Sequence, residues 1–127
     1  MTARSLASRR NAEQRGRFAE TLAALWLFAK GYRILGQRVR TAYGEIDIAA
    51  FKNGALIIVE VKARPSVDAG VLAVSPKQRG RLLRAAEDLA RKRRLGAAPI
   101  RFDLIVRQPR GALTHLRGAW RADEGDF

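Results

Sequence analysis

Asn53-Gly54 lies between two runs of apolar and β-branched residues, one ending Ile46-Asp47-Ile48-Ala49-Ala50-Phe51 and the other beginning Leu56-Ile57-Ile58-Val59-Glu60-Val61. In that setting an Asn-Gly pair is the strongest short-range signal for a two-residue hairpin turn. Closing the hairpin on these two residues fixes a register. Lys52 faces Ala55, Ile48 faces Val59, Asp47 faces Glu60, and Glu45 faces Lys62; a three-residue turn would break it. Side chains directly across an antiparallel pair stand about 5 Å apart at their β-carbons, and like charges there repel. The register therefore sets two carboxylates side by side with an ammonium just beyond. A divalent cation would remove the repulsion, since hard cations such as magnesium take oxygen ligands.

Metal-assisted hydrolysis of a phosphodiester is the chemistry that fits. Asp47 and Glu60 would hold a cation that polarises a phosphoryl oxygen and acidifies a water. Lys62, two residues after Glu60 and so on the same strand face, could orient that water or stabilise charge developing on phosphate. Asp47, twelve intervening residues and then Glu60-Val61-Lys62 resemble the PD-(D/E)XK signature of restriction-endonuclease-like nucleases, with Ile46 standing where the proline would be. The context widens the likeness: Gly16-Arg17-Phe18-Ala19-Glu20, Lys30-Gly31-Tyr32-Arg33-Ile34-Leu35, Gly44-Glu45-Ile46-Asp47, Val59 to Arg64, a helix containing Lys77, and Arg101-Phe102-Asp103 follow in order. Together they resemble the YraN family of small bacterial endonuclease-like proteins, over roughly residues 10–120. That resemblance implies an α/β, restriction-endonuclease-like three-layer core with a mixed β-sheet flanked by helices. It implies Mg2+ (or Mn2+) held by Asp47, Glu60 and Val61, and Glu20 of the first helix as an additional catalytic carboxylate. It is also compatible with a homodimer.

Net charge +13, from 25 Lys plus Arg against 12 Asp plus Glu, is the footprint of a nucleic-acid binder. A solubilising charge excess, or attraction to anionic membrane, is the alternative meaning of the same number. Cysteine is absent, which excludes a disulfide framework and a thiolate metal site. No apolar run approaches the roughly 20 residues that span a bilayer, so a cytoplasmic protein without membrane association is expected.

Along the chain, residues 1–10 are basic and small and are expected to be disordered, with an acidic tail over 122–127 and a single domain over 11–121. Asn11 with Gln14 has the form of a helix-starting capping box, and Gly31 supplies a stop. Phe18, Leu22, Leu25, Trp26 and Ala29 recur at helical spacing as the buried stripe. Glu20 lies off that stripe; as plain sequence it is a solvated charge. Tyr32 to Val39 is a first strand, with Gly36 a bulge or turn. Glu45 is either a supporting group beside Asp47 or the cross-strand partner of Lys62. Residues 64–74 lack periodicity and are expected to be a mobile loop, with Asp68 a surface charge. Ser75-Pro76 begins a second helix, Gln78 completing its capping box, with Leu82, Leu83, Ala86, Leu89 and Ala90 buried. Ile100 to Val106 is a strand parallel to the Glu60 strand in a right-handed βαβ unit, and Ala112 to Leu116 is a short edge strand. Asp103 is first a buried partner for an arginine and second a site group. His115, the lone histidine, is a packing or surface residue, and Trp120 caps the core or stacks a base.

The leading expectation is a metal-dependent nuclease acting on DNA ahead of RNA and directed by shape rather than base sequence. Lys77, Arg64, Arg79, Arg81 and Arg40 are the phosphate-contact candidates. The alternative is a non-catalytic nucleic-acid-binding module with a vestigial or structural metal site. A third possibility is a basic protein that docks on ribosomes or an acidic partner.

Overall fold

The computed structural model describes residues 3–122. The elements run α1 (Ala3–Ala29), β1 (Arg33–Thr41), β2 (Gly44–Lys52), β3 (Ala55–Ala63), α2 (Val67–Leu72), α3 (Pro76–Lys92), β4 (Ile100–Arg107) and β5 (Leu113–Trp120). The five strands form one sheet in the order β1-β2-β3-β4-β5. Every neighbouring pair is antiparallel except β3 and β4, which are parallel across the α2–α3 crossover.

The hairpin turn forms on Asn53-Gly54. Both residues have positive φ, 51° and 80°, the backbone that a primed two-residue turn requires and that Asn-Gly adopts at least cost. Lys52 pairs with Ala55 and Ile48 with Val59, the register expected from the turn. Around Gly36 the β1–β2 ladder shifts, between Ile34 and Gly36.

Helices cover both faces. α3 packs Leu82, Ala85, Ala86 and Leu89 against Ile46, Leu56, Ile58, Phe102, Leu104 and Val106. Its Ser75 cap accepts a hydrogen bond from Gln78 N–H at 3.1 Å. On the other face α1 packs Ala23, Ala24 and Leu27 over Ile48, Ile57, Val59 and Ile105. Here the sequence expectation needs correction. Phe18 and Leu25 are 56% and 61% exposed, and the buried residues are Ala19, Ala23, Ala24 and Leu27. α1 carries two apolar stripes, and periodicity cannot choose between them. The alanine stripe wins because small side chains let the helix lie close to a sheet studded with isoleucine and valine. Its start also differs: the helix begins at Ala3, not at Asn11, because the strong helix formers of residues 3–15 extend it. Residues 123–127 of the acidic tail lie outside the described residues.

The expected mobile loop after β3 instead contains α2, capped by Ser66 Oγ accepting Ala69 N–H at 3.1 Å. One and a half turns are too short for periodicity to show. Gly70 seats this helix on the sheet: a β-carbon there would lie 2.4 Å from Val106 Cγ2. Val106 is fully buried and cannot move aside. Gly70→Ala should therefore lower stability by about 1–3 kcal/mol, read as a lower urea midpoint with an unchanged m-value.

β5 runs to Trp120, longer than expected. Trp120 is buried and stacked on Phe102 with centroids 5.4 Å apart, so it caps the core and presents no face to a base. On the α1 face Asp103 is fully buried. It accepts hydrogen bonds from Arg101 Nε and Nη2 at 2.8 and 2.7 Å, from Gly118 N–H at 3.0 Å, and pairs with His115 Nε2 at 2.8 Å. Lys30 Nζ lies 2.6 Å from His115 Nδ1, and Arg101 also donates to Tyr32 Oη at 2.7 Å. Asp103 is thus the buried arginine partner expected, and His115 a packing residue. Burial pushes the Asp103 carboxyl up, but the bonds from Arg101, His115 and Gly118 outweigh it and hold it down to about 2. A carboxyl depressed below its unfolded value contributes stability above about pH 4, lost as pH falls toward 2. An acid melting series should show a fall in Tm across that window, smaller in Asp103→Asn relative to its own neutral-pH value.

Candidate functional site

The β2–β3 ladder stops at Ile48↔Val59. Residues two apart on a strand share a face, yet Ile46 packs in the α3-side core and Ile48 in the α1-side core. β2 is therefore rolled at Asp47, between them. There the Asp47 side chain replaces the ladder, its Oδ2 accepting Val61 N–H at 2.8 Å. A carboxylate inserted where two strands part lies beside Glu60, the next residue along the register. The two carboxylates are brought together as expected, although by a side chain inserted at the parting rather than by a ladder pair.

Glu60 is 5% exposed. Its Oε1 accepts from Gln78 Nε2 of α3 at 2.9 Å and lies 3.7 Å from Lys62 Nζ. Its Oε2 is buried and meets no donor; when Glu60 carries its proton the side chain hydrogen-bonds Asp47. Burial, then the Asp47 charge, raise the Glu60 carboxyl to about 8, against the opposing pull of Lys62 and Arg81. A buried carboxylate pair that shares a proton and meets no donor at one oxygen suits a hard cation, which would displace that proton. Among the described residues no group of three or more His, Cys, Asp or Glu could enclose one. Magnesium keeps several waters and needs only one or two protein carboxylates. Asp47 and Glu60 would be its ligands. Val61 is placed by its N–H on Asp47.

The α3–turn contact holds this arrangement in place. Arg81 Nη1 donates to the carbonyls of Tyr43 and Glu45 at 3.1 and 3.2 Å, while Asp88 accepts Ala42 N–H at 3.0 Å. Both fasten the β1–β2 turn, and so the start of β2, to α3.

Several expected roles shift. Glu45 does not pair with Lys62; it lies 3.6 Å from Arg40, its partner across β1, because Lys62 turns to Glu60. Glu20 is no solvated charge. It is partly buried, bonded by Arg38 at 2.8 and 3.4 Å, and its carboxyl is raised by burial and then by the Asp47 charge. It stands near Asp47 but is already neutralised by Arg38, a residue with φ of 49° that sequence reasoning missed. Of the expected capping box only the Ser75 half forms, through Gln78 N–H; the Gln78 side chain reaches Glu60. Of the phosphate candidates, Lys77 is exposed and lines a cleft of about 380 Å³ with Ser75, Gln78, Arg81 and Arg84. Arg40 and Arg64 are exposed. Arg81 is anchored on the turn. Arg79 lies 5.6 Å over the Trp120 ring, drawn to the core edge rather than to the cleft.

A mixed sheet between helical layers, with paired carboxylates where β2 leaves β3, is an α/β fold of the restriction-endonuclease-like class. The chain itself belongs to the uncharacterised protein family UPF0102, also called YraN, whose family model matches residues 19–106. It is 52% identical over 106 residues to a UPF0102 protein of Caulobacter sp. (strain K31), covering 83% of this chain and 76% of that one. It is 46% identical over 114 residues to one from Maricaulis maris, covering 89% and 90%. Against one from Acidiphilium cryptum it is 43% identical over 123 residues, covering 95% and 94%. Among the described residues no helix is long and apolar enough to cross a membrane.

Proposed function

We propose that the protein is a magnesium-dependent nuclease that hydrolyses phosphodiester bonds and recognises nucleic acid by backbone and shape. The observation that carries this reading is the buried Glu60 Oε2, reached by no donor and set against the Asp47 carboxylate, with Lys62 3.7 Å from the other Glu60 oxygen. When bound, magnesium supplies charge stabilisation at the phosphoryl oxygen. Asp47 and Glu60 hold it, and Gln78 fixes the orientation of Glu60. Lys62, partly buried, presents its ammonium to the attacking water or to charge accumulating on the phosphoryl group. Lys77 at the start of α3 draws the strand to the site, where helix N–H groups also favour anions. The net charge of +13 supports a polyanionic substrate.

The grip of Arg38 on Glu20 favours a second reading, a binding module that never turns over, because it keeps the third carboxylate from the Asp47–Glu60 pair. Incubating the protein with branched, flapped, single-stranded and duplex DNA and RNA, in magnesium, manganese or chelator, separates the two. Metal-dependent cleavage lost in Asp47→Ala and Lys62→Ala supports the nuclease and identifies its substrate. Tight binding with no cleavage under any metal would sink the catalytic claim.

A further inference from the structure

A second cleft, of about 460 Å³, opens between α1, the end of β3 and the β4–β5 connection. Arg15, Arg64, Arg107 and Arg110 line it, and Ala63, Pro65 and Pro109 contribute an apolar floor. Among the described residues none of these four arginines forms an ion pair with a carboxylate. Four cations gathered without a counter-charge repel one another, so the cleft favours an anion. Two further features give it form. Arg107 lies 5.4 Å over the exposed Phe18 ring, a contact that restrains its guanidinium. Arg110 has φ of 69°, a left-handed backbone uncommon outside glycine. The turn keeps it there through Gly111 N–H to Gln108 O at 3.2 Å and Gln108 N–H to Ala112 O at 2.8 Å. Strain of this kind collects where a side chain must be aimed.

We propose that this cleft holds one nucleotide of a nucleic-acid strand, its phosphate against the arginines and its base on the proline-lined floor. Cavities of this size take small organic ligands, and planar guanidinium groups both stack bases and bind phosphate oxygens in pairs. The placement rests on the nucleic-acid reading above and extends it. Along β3, Ala63 is three residues past Glu60, about 10 Å; along α1, Gly16 of the cleft is one helical turn before Glu20, about 6 Å. Both elements lead from the cleft to the carboxylates, so it receives the strand a short step from the scissile phosphate.

The test measures binding of a 12-nucleotide single-stranded oligothymidine and of free thymidine monophosphate over a salt series, with chelator present. Arg110→Gly removes the guanidinium and relieves the left-handed backbone, so lost binding cannot be lost folding. Arg94→Gly is its matched control: Arg94 has φ of 54° and lies beyond α3, at the opposite end of β4 from the cleft. Expected are at least tenfold weaker oligothymidine binding in Arg110→Gly, and a salt slope reduced by about 0.7 for the lost contact. Arg94→Gly should weaken binding less than threefold. Equal losses in the cleft variant and the control, no oligothymidine binding by the wild type, or thymidine monophosphate bound as tightly as the oligothymidine would each overturn the proposal. The nuclease reading fails separately: cleft variants that cut like wild type remove the cleft alone, and lost binding without any cleavage removes the nuclease alone.

Discussion

Asp47→Asn is expected to lower magnesium-dependent cleavage at least a thousandfold while leaving the fold intact, and Asp47→Ala to lower it as far and destabilise the protein as well. Asp47 does two things at once. Its charge completes a cation site with Glu60, and its Oδ2 satisfies the Val61 N–H that the parted ladder leaves open. The asparagine side-chain oxygen can still accept that N–H but brings no negative charge, so the metal is lost and the hydrogen bond kept. Alanine removes both, leaving an unsatisfied backbone donor at a cost of about 1–3 kcal/mol. Initial cleavage rates and urea midpoints on the same preparations read the two effects apart. Unchanged cleavage in both variants would remove Asp47 from the chemistry.

Glu60→Gln should make the metal-free protein more stable, by about 2–5 kcal/mol at pH 8. The sign follows from the buried carboxyl, raised to about 8 by burial and then by Asp47. An unfolded glutamate titrates near 4.3. Between those pH values the folded chain holds a proton that the unfolded chain has released, so wild-type stability falls as pH rises through the window. Glutamine does not titrate, and its amide can still accept from Gln78 while donating to Asp47. The gain should vanish by about pH 4 and reach several degrees in Tm at pH 8. Adding magnesium should raise the Tm of the wild type and leave Glu60→Gln unmoved. A variant less stable than wild type at pH 8 would mean that Glu60 serves the fold rather than a cation.

The hairpin and its consequences were legible because local chemistry enforces them. Asn53-Gly54 admits few turn geometries, one turn admits one register, and that register runs to Ile48 and Val59, one step short of Asp47 and Glu60. The α3 start was equally plain from Ser75-Pro76, and the parallel β3–β4 pair from the length of the crossover. The errors have a common cause. Whether the buried stripe of α1 is Phe18 and Leu25 or Ala19, Ala23 and Ala24 depends on how close the sheet approaches. Whether the Gln78 side chain closes a cap or reaches Glu60, and whether Glu45 or Glu60 claims Lys62, depends on partners far away in sequence. Periodicity carries none of that. α2 was hidden by its length, and its seat on Val106 shows only when the sheet is in place.

By itself, then, the sequence determined the order of the elements, the register of the central hairpin, the two carboxylates and lysine, and the excess of positive charge, all of which follow from neighbours in the chain. Tertiary structure alone decided which charges are free to act. It buried Glu60 with one oxygen met by no donor, tied Glu20 to Arg38, fastened Arg81 to a turn and Arg79 to Trp120. It also gathered Arg15, Arg64, Arg107 and Arg110, spread over 96 positions of the chain, into one cleft. The physical reason is that a charge acts through its surroundings, and burial and pairing are set where distant segments meet.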